Sequence, residues 1–293
     1  MTIHKPVLLN EVIQYLNPRS NQNFIDCTIG GGGHAFQILQ LTGPNGKLLG
    51  IDLSREAVEG LKAKSQKFNN RLILVNDNFI NLKKVVKEKF FCPLHGLLFD
   101  LGLSSDLLEK SGRGFSFQKD EILDMRLNPE KQITTAKDIL NRYSENDLIE
   151  IFKNFGEEKF SKLIAHQIVK IRKQEKIINT LQIVNLIKKT LGRKFRRKSL
   201  ARIFQALRIA VNNELENLEK ALPQAVEILE PGGRLVILSY HSLEDRIVKN
   251  FFKNNLQLRV LTRKPIRPSQ EEIRNNPRAR SAKLRAAEKI INN

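Results

Sequence analysis

A run of four glycines, Gly30 to Gly33, stands between a short apolar segment and a segment with helical spacing. A glycine turn at the start of a helix presents unpaired backbone N–H groups and the positive end of the helix dipole to a ligand. The spacing Gly30-x-Gly32-x-x-Ala35 also fits the fingerprint of dinucleotide-binding turns. The run therefore predicts a nucleotide-like ligand, while a purely structural glycine turn is the alternative.

Carboxylates accompany this turn at the ends of the apolar segments. Asp26 precedes the glycines, Asp52 ends the next segment, and Asp77 and Asp100 end the two after it. About twenty residues beyond a glycine turn, a carboxylate can bind ribose hydroxyls, a device shared by NAD- and S-adenosylmethionine (SAM)-binding proteins. We expect Asp52 to do this or to cap the following helix. We expect Asp26 to lie near a donor's amino group or sulfonium, or to cap the turn.

The aromatic side chain of Phe79 follows Asp77 by two positions. At the carboxyl edge of a parallel sheet it is placed to pack against adenine. A core phenylalanine has the same local sequence, so both interpretations stay open.

Strands and helices must position these residues. Alternating segments predict strands over 23–29, 47–53, 71–77 and 234–240, a strand with its following loop over 96–105, and closing strands over 256–263 and 282–289. Strand–helix alternation at this spacing indicates βαβ units and a mostly parallel sheet of an α/β fold. Between 106 and 201 the pattern is helical, with acids three residues after Thr135 and Ser144 as in capping boxes. We predict a discontinuous domain of residues 1–105 and 202–293, interrupted by an all-helical domain of residues 106–201.

The composition points to a polyanionic partner. The chain has 50 Lys and Arg residues against 31 Asp and Glu, a net charge of +19. Nucleic acid is favoured over a membrane surface because no tryptophan is present to anchor a basic amphipathic helix. The two cysteines, Cys27 and Cys92, lack metal-site spacing and predict buried reduced thiols. With no membrane span and no signal-peptide layout at the N-terminus, we expect a cytoplasmic protein and no metal.

Several segments in order along the chain resemble the RsmH (MraW) family. They are "HKPVLLNEV", "DCTIGGGGH", "GIDLSREA", "DNF", "FDLGLSS", "RGFSF", "LDMRL", "GEEKFSKLIAHQI", "FQALRIAVNNEL", "PGGRLVILSYHSLEDRIVK" and "NPRARSAKLR". The resemblance implies a SAM-dependent methyltransferase of the N4 amine of a cytidine in the decoding region of 16S ribosomal RNA. It also implies a Rossmann-like fold with an inserted helical substrate domain.

The resemblance implies cofactor contacts at Gly32, Gly33, His34, Asp52, Phe79 and Asp100. The position of Asp26 before the turn and of Gly30 in the fingerprint adds these two residues to the predicted cofactor site. The family's glutamine after "SS" falls on Leu107, so a side-chain amide cannot bind SAM there and the backbone is the alternative. Before the "FQ" pair the family has a His-Pro-Ala-Thr-Arg run, of which this chain keeps Arg202 and departs over 198–201.

Catalytic candidates are Asp100 for positioning, Ser104 and Ser105 for hydrogen bonds to the base, Tyr240 for stacking on it, and His241 at the same edge. An acceptor near the amine N–H would concentrate the nitrogen lone pair and take its proton. The serines fit loop caps equally well, and Ser242 with Asp245 fits a helix cap.

Substrate-binding candidates are Asp124, Met125 and Arg126 as a wall, with Arg113, Arg126 and Arg202 facing RNA. The basic runs "GRKFRRKSLAR" and "NPRARSAKLR" are either solvated faces or phosphate contacts. The partner implied is 16S rRNA within the small ribosomal subunit, and the sequence is compatible with a homodimer. An NAD-linked oxidoreductase and a non-catalytic RNA-binding assembly factor are the alternative functions.

Overall fold

The computed structural model describes residues 6–68, 70–103, 107–108 and 111–290. The chain forms two compact units, Met1–Gly102 with Leu215–Asn293, and Leu103–Glu214. The predicted domain boundary of 106–201 differs from this division. Residues 202–214 belong to the helical unit because the helix that begins at Arg197 continues unbroken to Asn212.

The first unit is built on one sheet of seven strands. These are β1 (Phe24–Asp26), β2 (Leu48–Asp52), β3 (Leu72–Asn76), β4 (Gly96–Asp100), β5 (Arg234–Ser239), β6 (Leu258–Val260) and β7 (Lys283–Lys289). Their order is β3-β2-β1-β4-β5-β7-β6, with β7 antiparallel to both its neighbours and the other pairs parallel. The predicted mostly parallel α/β sheet of Rossmann-like type is confirmed.

Twelve α-helices lie in the described ranges. They are α1 (Leu9–Leu16), α2 (Gly33–Leu41), α3 (Arg55–Ser65), α4 (Leu82–Glu88), α5 (Ala136–Arg142), α6 (Glu145–Asn154), α7 (Ser161–Ile171), α8 (Thr180–Leu191), α9 (Arg197–Asn212), α10 (Glu214–Ile228), α11 (Ser242–Asn254) and α12 (Gln270–Asn275). Among the helices of the described residues, none is long and apolar enough to cross a membrane.

Both faces of the sheet are covered, as strands rich in apolar residues on both sides require. Alternate residues of a strand point to opposite faces. In β4, Leu97 and Phe99 enter a core with α4, α10 and α11, whereas Leu98 enters the core shared with α1, α2 and α3. The sheet is thus held between two helical layers, which leaves its strand ends free to form a site.

The helical unit has a core of its own, formed by apolar faces of α5 to α9. Thr135 and Ser144 begin α5 and α6 with reciprocal capping boxes to Asp138 and Asp147, as predicted. Within the described part of residues 103–214, strand pairing is limited to an isolated bridge between Ile122 and Asn179.

Three local predictions are wrong. The break expected near Pro223 lies instead at Asn213, whose backbone is left-handed, because buried residues on either side of Pro223 keep α10 continuous. The closing strand β6 covers only Leu258–Val260 of the predicted 256–263, since Leu256 is almost fully exposed. Cys27 is buried, but Cys92 is exposed in the loop between α4 and β4.

Candidate active site

The site is organised by a gap at the carboxyl end of β1. Asp26, the last residue of β1, is in register with Gly50 of β2 and Leu98 of β4. Both neighbouring strands therefore continue two residues further, to Asp52 and Asp100. In an open parallel sheet, ligands bind in such a crevice, where neighbouring connections leave in opposite directions.

The glycine turn fills this gap and starts α2. Gly32 has φ +79°, and a Cβ built on it would lie 2.8 Å from the Phe36 ring and 3.0 Å from Leu61 Cδ2. A residue with a side chain would be strained there by its backbone and by contact. The α2 helix begins at Gly33, and its N-cap residue Gly32 provides no side-chain hydrogen bond to the N–H groups of the first turn.

Asp52 joins the turn to β2. Its Oδ2 accepts a hydrogen bond from the Gly30 N–H and its Oδ1 from the Ser54 N–H, each at 2.8 Å. Burial raises the pKa of Asp52, although these two N–H groups act against that rise. Ser54 itself caps α3 by accepting from Ala57, so the capping alternative weighed for Asp52 belongs to Ser54.

Asp26 is the most buried carboxylate of the edge, with 2% of its surface exposed. Its Oδ1 accepts the Thr28 N–H at 3.1 Å. Burial raises its pKa to about 8, helped by the charges of Asp100 and Asp52 and opposed by the Thr28 hydrogen bond. Asp26 therefore holds a proton near neutral pH unless a cation lies close by.

Asp100 is held from two sides. Its Oδ1 accepts the Tyr240 hydroxyl at 2.8 Å, and its Oδ2 lies 3.7 Å from His34 Nδ1. The other ring nitrogen of His34 lies 2.9 Å from the Val7 carbonyl. Burial, followed by the charge of Asp100, raises the pKa of Tyr240 well above its ordinary value. Tyr240 is thus a neutral donor that orients Asp100, a partner not foreseen for the ring predicted to stack on a base.

Phe79 and Asp77 lie beyond the end of β3. Phe79 is partly buried and packs edge-on against Phe99, with ring centroids 5.6 Å apart. This contact supports the core interpretation of Phe79, and packing against adenine stays a prediction. Asp77 accepts hydrogen bonds from the Asn78 N–H and the Asn81 side chain, which fix its own loop.

His241 is the N-cap of α11, in a capping box with Glu244. The predicted cap at Ser242 and Asp245 is wrong by one residue. Asp245 instead binds Arg285 Nε at 2.6 Å and Lys283 Nζ at 3.0 Å. Two basic residues of the run "NPRARSAKLR" are therefore occupied within the fold.

In the helical unit, Asp124 and Arg126 form a bidentate pair, with distances of 2.8 Å and 2.6 Å. Arg126 also donates to the carbonyls of Pro129 and Gln132. Met125 between them is fully buried. These positions argue against direct RNA contacts by Met125 and Arg126, because the side chains serve the unit's own structure.

The other substrate candidates are also engaged within the helical unit. Arg113 donates to the Arg126 carbonyl at 3.0 Å. Arg202, partly exposed, lies 3.8 Å from Oε2 of the buried Glu158. Leu107 packs partly buried against the unit's core. Ser104 and Ser105 lie outside the described residues.

The Asp124–Arg126 pair predicts a pH-dependent stability. Burial raises the pKa of Asp124, but the hydrogen bonds and charge of Arg126 outweigh it and leave the pKa below its usual value. The pair therefore stabilises the folded protein at pH values above the ordinary pKa of a carboxyl group. This stabilisation is lost as the pH falls through the lowered pKa of Asp124. We expect Asp124→Asn to cost about 1–3 kcal/mol at neutral pH and to flatten the loss below about pH 4.

Urea unfolding at several pH values, followed by circular dichroism, measures this effect. The exposed Asp120, in the same unit, provides the matched Asp120→Asn control, for which we expect a change within about 0.5 kcal/mol. Equal stability of the two variants at neutral pH would contradict the role of the pair.

A family model described as the MraW methylase family matches residues 1–290. The chain belongs to the MraW methylase family. The resemblance drawn from the sequence motifs is thus confirmed. The chain is accordingly a methyltransferase with SAM as its methyl donor, which excludes both the NAD-linked oxidoreductase and the non-catalytic alternative.

Relatives of similar length carry one name. "Ribosomal RNA small subunit methyltransferase H" of Thermomicrobium roseum is 44% identical, covering 99% of this chain and 94% of its own. The protein of that name in Thermosipho melanesiensis is 47% identical, covering 98% of each chain. A solved rRNA methylase of Streptococcus thermophilus aligns with 99% of this chain and 100% of its own, at 12% identity and TM-score 0.47, which is too low to bear on substrate or mechanism.

The residues at the carboxyl edge fit a SAM molecule. A Cβ at Gly32 would press against Phe36 and Leu61, so the close turn needs glycine there, and the start of α2 is an N-terminus suited to a carboxylate. Asp52 ends β2 where a ribose would lie, and Asp26 stands at the same edge to balance a cationic donor.

Sequence reasoning missed one member of this edge, Thr28. Its N–H donates to Asp26, and its hydroxyl oxygen accepts the Asp100 N–H at 2.6 Å, which ties β1 to β4 beyond the end of their pairing. The only sequence signal is its place between Asp26 and the glycines. The sequence does not show that β1 and β4 are neighbours in the sheet, so it cannot predict that Thr28 contacts Asp100.

Proposed function

We propose that this methyltransferase transfers a methyl group from SAM to the N4 amine of a cytidine in the decoding region of 16S rRNA. The observation that carries the proposal is the junction of the glycine turn, Asp52 and Asp100 at one sheet edge, in a chain that matches a methylase family from residue 1 to 290. The relatives' shared name supports the RNA substrate. The N4 position rests on the motif resemblance.

The donor side is formed by the turn and the ends of β2 and β3. When bound, SAM supplies a sulfonium methyl with a good leaving group. Gly30 to Gly33 and His34 line the turn, Asp52 binds the ribose hydroxyls, and Phe79 packs on the adenine. Asp52 already accepts N–H bonds from Gly30 and Ser54, so its carboxylate is oriented before the ligand arrives.

The acceptor side centres on Asp100. The lone pair of a cytosine amine is conjugated into the ring, so the nitrogen is a weak nucleophile. Asp100 accepts a hydrogen bond from this amine, which localises the lone pair and stabilises the charge that develops. Tyr240 holds Asp100 by donating its hydroxyl proton to Oδ1, leaving Oδ2 for the amine and His34. Holding the amine in line with the methyl is the larger contribution.

The remaining assignments belong to the same proposal. Ser104 and Ser105 bind the base, His241 borders the edge, and Leu107 contacts SAM through its backbone. The helical unit receives the RNA, with Asp124 and Arg126 holding its local structure rather than contacting the RNA, and with Arg113 and Arg202 near phosphates. The enzyme acts in the cytoplasm on the small ribosomal subunit and is compatible with a homodimer.

The buried carboxyl of Asp26 predicts pH-dependent donor binding. Its pKa of about 8 means that it is mostly protonated at neutral pH, whereas a cationic ligand favours its ionised form. SAM binding should therefore release a proton, and affinity should rise by about tenfold from pH 6.5 to pH 8. Calorimetry in buffers of different ionisation enthalpy counts the protons.

An Asp26→Asn variant is the control, because its amide does not titrate. We expect weaker binding with a flatter pH dependence, and any slope left in the variant belongs to SAM itself. The same slope in both proteins would place Asp26 away from the donor's positive charge.

Nucleoside mass spectrometry of 16S rRNA from cells with and without this gene tests the proposed function. We expect N4-methylated cytidine to disappear in the deletion and to return with the wild-type gene. An unchanged nucleoside profile would overturn the substrate assignment.

A further inference from the structure

The stretch 176–213 in the helical unit contains ten lysines and arginines and no acidic residue. Seven of them are exposed side chains between positions 188 and 198, and we call these the 188–198 surface: Lys188, Lys189, Arg193, Lys194, Arg196, Arg197 and Lys198. They lie at the end of α8, in the short connection and in the first turn of α9. Positive charges concentrated in one connection between two helices create a strong positive electrostatic potential there.

Internal ion pairs do not balance this charge. Among the described residues, no carboxylate lies within 4.0 Å of a basic group of the 188–198 surface. Two other arginines of the stretch behave differently, since Arg202 faces Glu158 and Arg208 binds Glu214 at 2.8 Å. In the first unit, Lys283 and Arg285 of the other basic run bind Asp245. The 188–198 surface is thus distinct from these basic residues, each of which has a carboxylate close by.

Helix electrostatics explain one half of the surface and not the other. Lys188 and Lys189 lie in the last turn of α8, where cations are favoured by the helix dipole. Arg196, Arg197 and Lys198 stand at the start of α9, which has neither an acid in its first turn nor a side-chain cap. Cations there are disfavoured by the helix dipole. Stability therefore does not account for this arrangement, whereas an anion bound at the same place would.

The chemistry of the surface selects among anionic partners. Between 188 and 198, all of which the structure describes, no large apolar side chain is exposed, which disfavours a membrane surface or an apolar protein interface. The guanidinium of Arg197 lies 5.7 Å from the centre of the Phe117 ring, which orients it without neutralising it. Arginine and lysine presented without exposed aromatic rings suit phosphates rather than bases.

We propose that the 188–198 surface binds the sugar-phosphate backbone of the substrate RNA, independently of sequence and outside the methyl-transfer site. This inference rests on the proposed function, because it takes the partner to be RNA. The surface supplies affinity and orientation, while the carboxyl edge of the sheet performs the chemistry.

The test is a triple variant, Arg193→Gln, Lys194→Gln and Lys198→Gln, which spares Arg196 and the ring contact of Arg197. The matched control is Lys47→Gln, Lys87→Gln and Lys89→Gln. These three exposed lysines lie at the amino edge of the sheet, beside the starts of β2 and β4 and away from the strand-end carboxylates. Both variants lose three positive charges, so net charge is equal.

Binding to naked 16S rRNA and to small subunits lacking the methyl mark is measured over a series of salt concentrations. Affinity falls as salt rises, and removing one phosphate contact makes this fall less steep, by about 0.7–0.9 in the magnitude of the slope of log affinity against log salt. We expect the 188–198 variant to lose about two units of slope and at least about tenfold in affinity. SAM affinity should stay at the wild-type value, and the control should bind RNA nearly as well as wild type.

The outcomes separate this inference from the function. If wild-type protein neither binds nor methylates rRNA, the proposed function fails. If wild type binds and methylates rRNA but the two triple variants bind RNA equally well, the proposed role of the 188–198 surface is overturned. If the triple variant loses SAM binding, the single variant Lys198→Gln is tested in its place. We expect this variant to reduce the steepness of the salt dependence by about 0.7–0.9. A salt dependence as steep as that of wild type would contradict the proposal. If the triple variant binds both heparin and RNA more weakly than wild type, and to the same extent, the result supports a contact with anionic groups such as phosphates. If it binds both as tightly as wild type, the result contradicts the proposal.

Discussion

A Gly32→Val variant is expected to lose at least about a hundredfold in SAM affinity and to unfold at lower temperature. The valine would have to adopt φ +79°, a left-handed conformation that costs about 1–2 kcal/mol for ordinary residues and more for a β-branched one. Its Cβ would also lie 2.8 Å from the Phe36 ring, so the turn must move. Calorimetric titration with SAM and a thermal melt measure the two effects.

The matched control is Gly60→Val in α3. A Cβ at Gly60 meets no atom within 4 Å, and its φ is not positive, so we expect SAM affinity and stability close to wild type. Gly32→Ala, with a smaller side chain, should fold and still bind SAM weakly. Wild-type affinity in folded Gly32→Val protein would show that the turn does not cradle the donor.

An Asp100→Asn variant is expected to lose about 10²–10³-fold in kcat while binding SAM within a few-fold of wild type. The amide keeps the size of the side chain but removes its charge. It also offers a poorer acceptor to the cytosine amine, so the effect falls on the transfer step. Single-turnover methyl transfer to small subunits, with donor saturating, measures the chemical step separately from RNA binding.

Two variants bracket this result. Asp77→Asn changes another strand-end carboxylate whose oxygen is bound to Asn78 and Asn81, and we expect rates within a few-fold of wild type. Tyr240→Phe keeps the ring but removes the hydrogen bond to Asp100, and we expect kcat to fall by about tenfold. Full transfer by Asp100→Asn would remove Asp100 from the mechanism.

Local sequence signals predicted the parts of the fold that depend on local interactions. The mostly parallel sheet followed from strand–helix alternation, and the capping boxes at Thr135 and Ser144 from residues three apart. The glycine turn and Asp52 were visible because their spacing reflects one βαβ unit. In each case the interacting residues are neighbours in the chain or in consecutive strands.

The remaining features depend on contacts between distant segments. The Tyr240–Asp100 hydrogen bond joins β5 to β4 across 140 positions, and the sequence offers no sign that the ring points there. The sequence predicts that Arg126 contacts phosphate, but a carboxylate and two carbonyl groups within its own loop already bind its guanidinium. The helix break expected at Pro223 occurs at Asn213, because tertiary packing overrides the local preference of proline.

The central claim is that one sheet edge holds SAM and presents a cytidine amine to it. Purified wild-type protein incubated with methyl-labelled SAM and small subunits from the deletion strain tests it most directly, with the 16S nucleosides then separated by mass. We predict labelled N4-methylcytidine with wild-type protein and almost none with Asp100→Asn. Label on another nucleoside, or none from folded protein that binds SAM, would contradict the account.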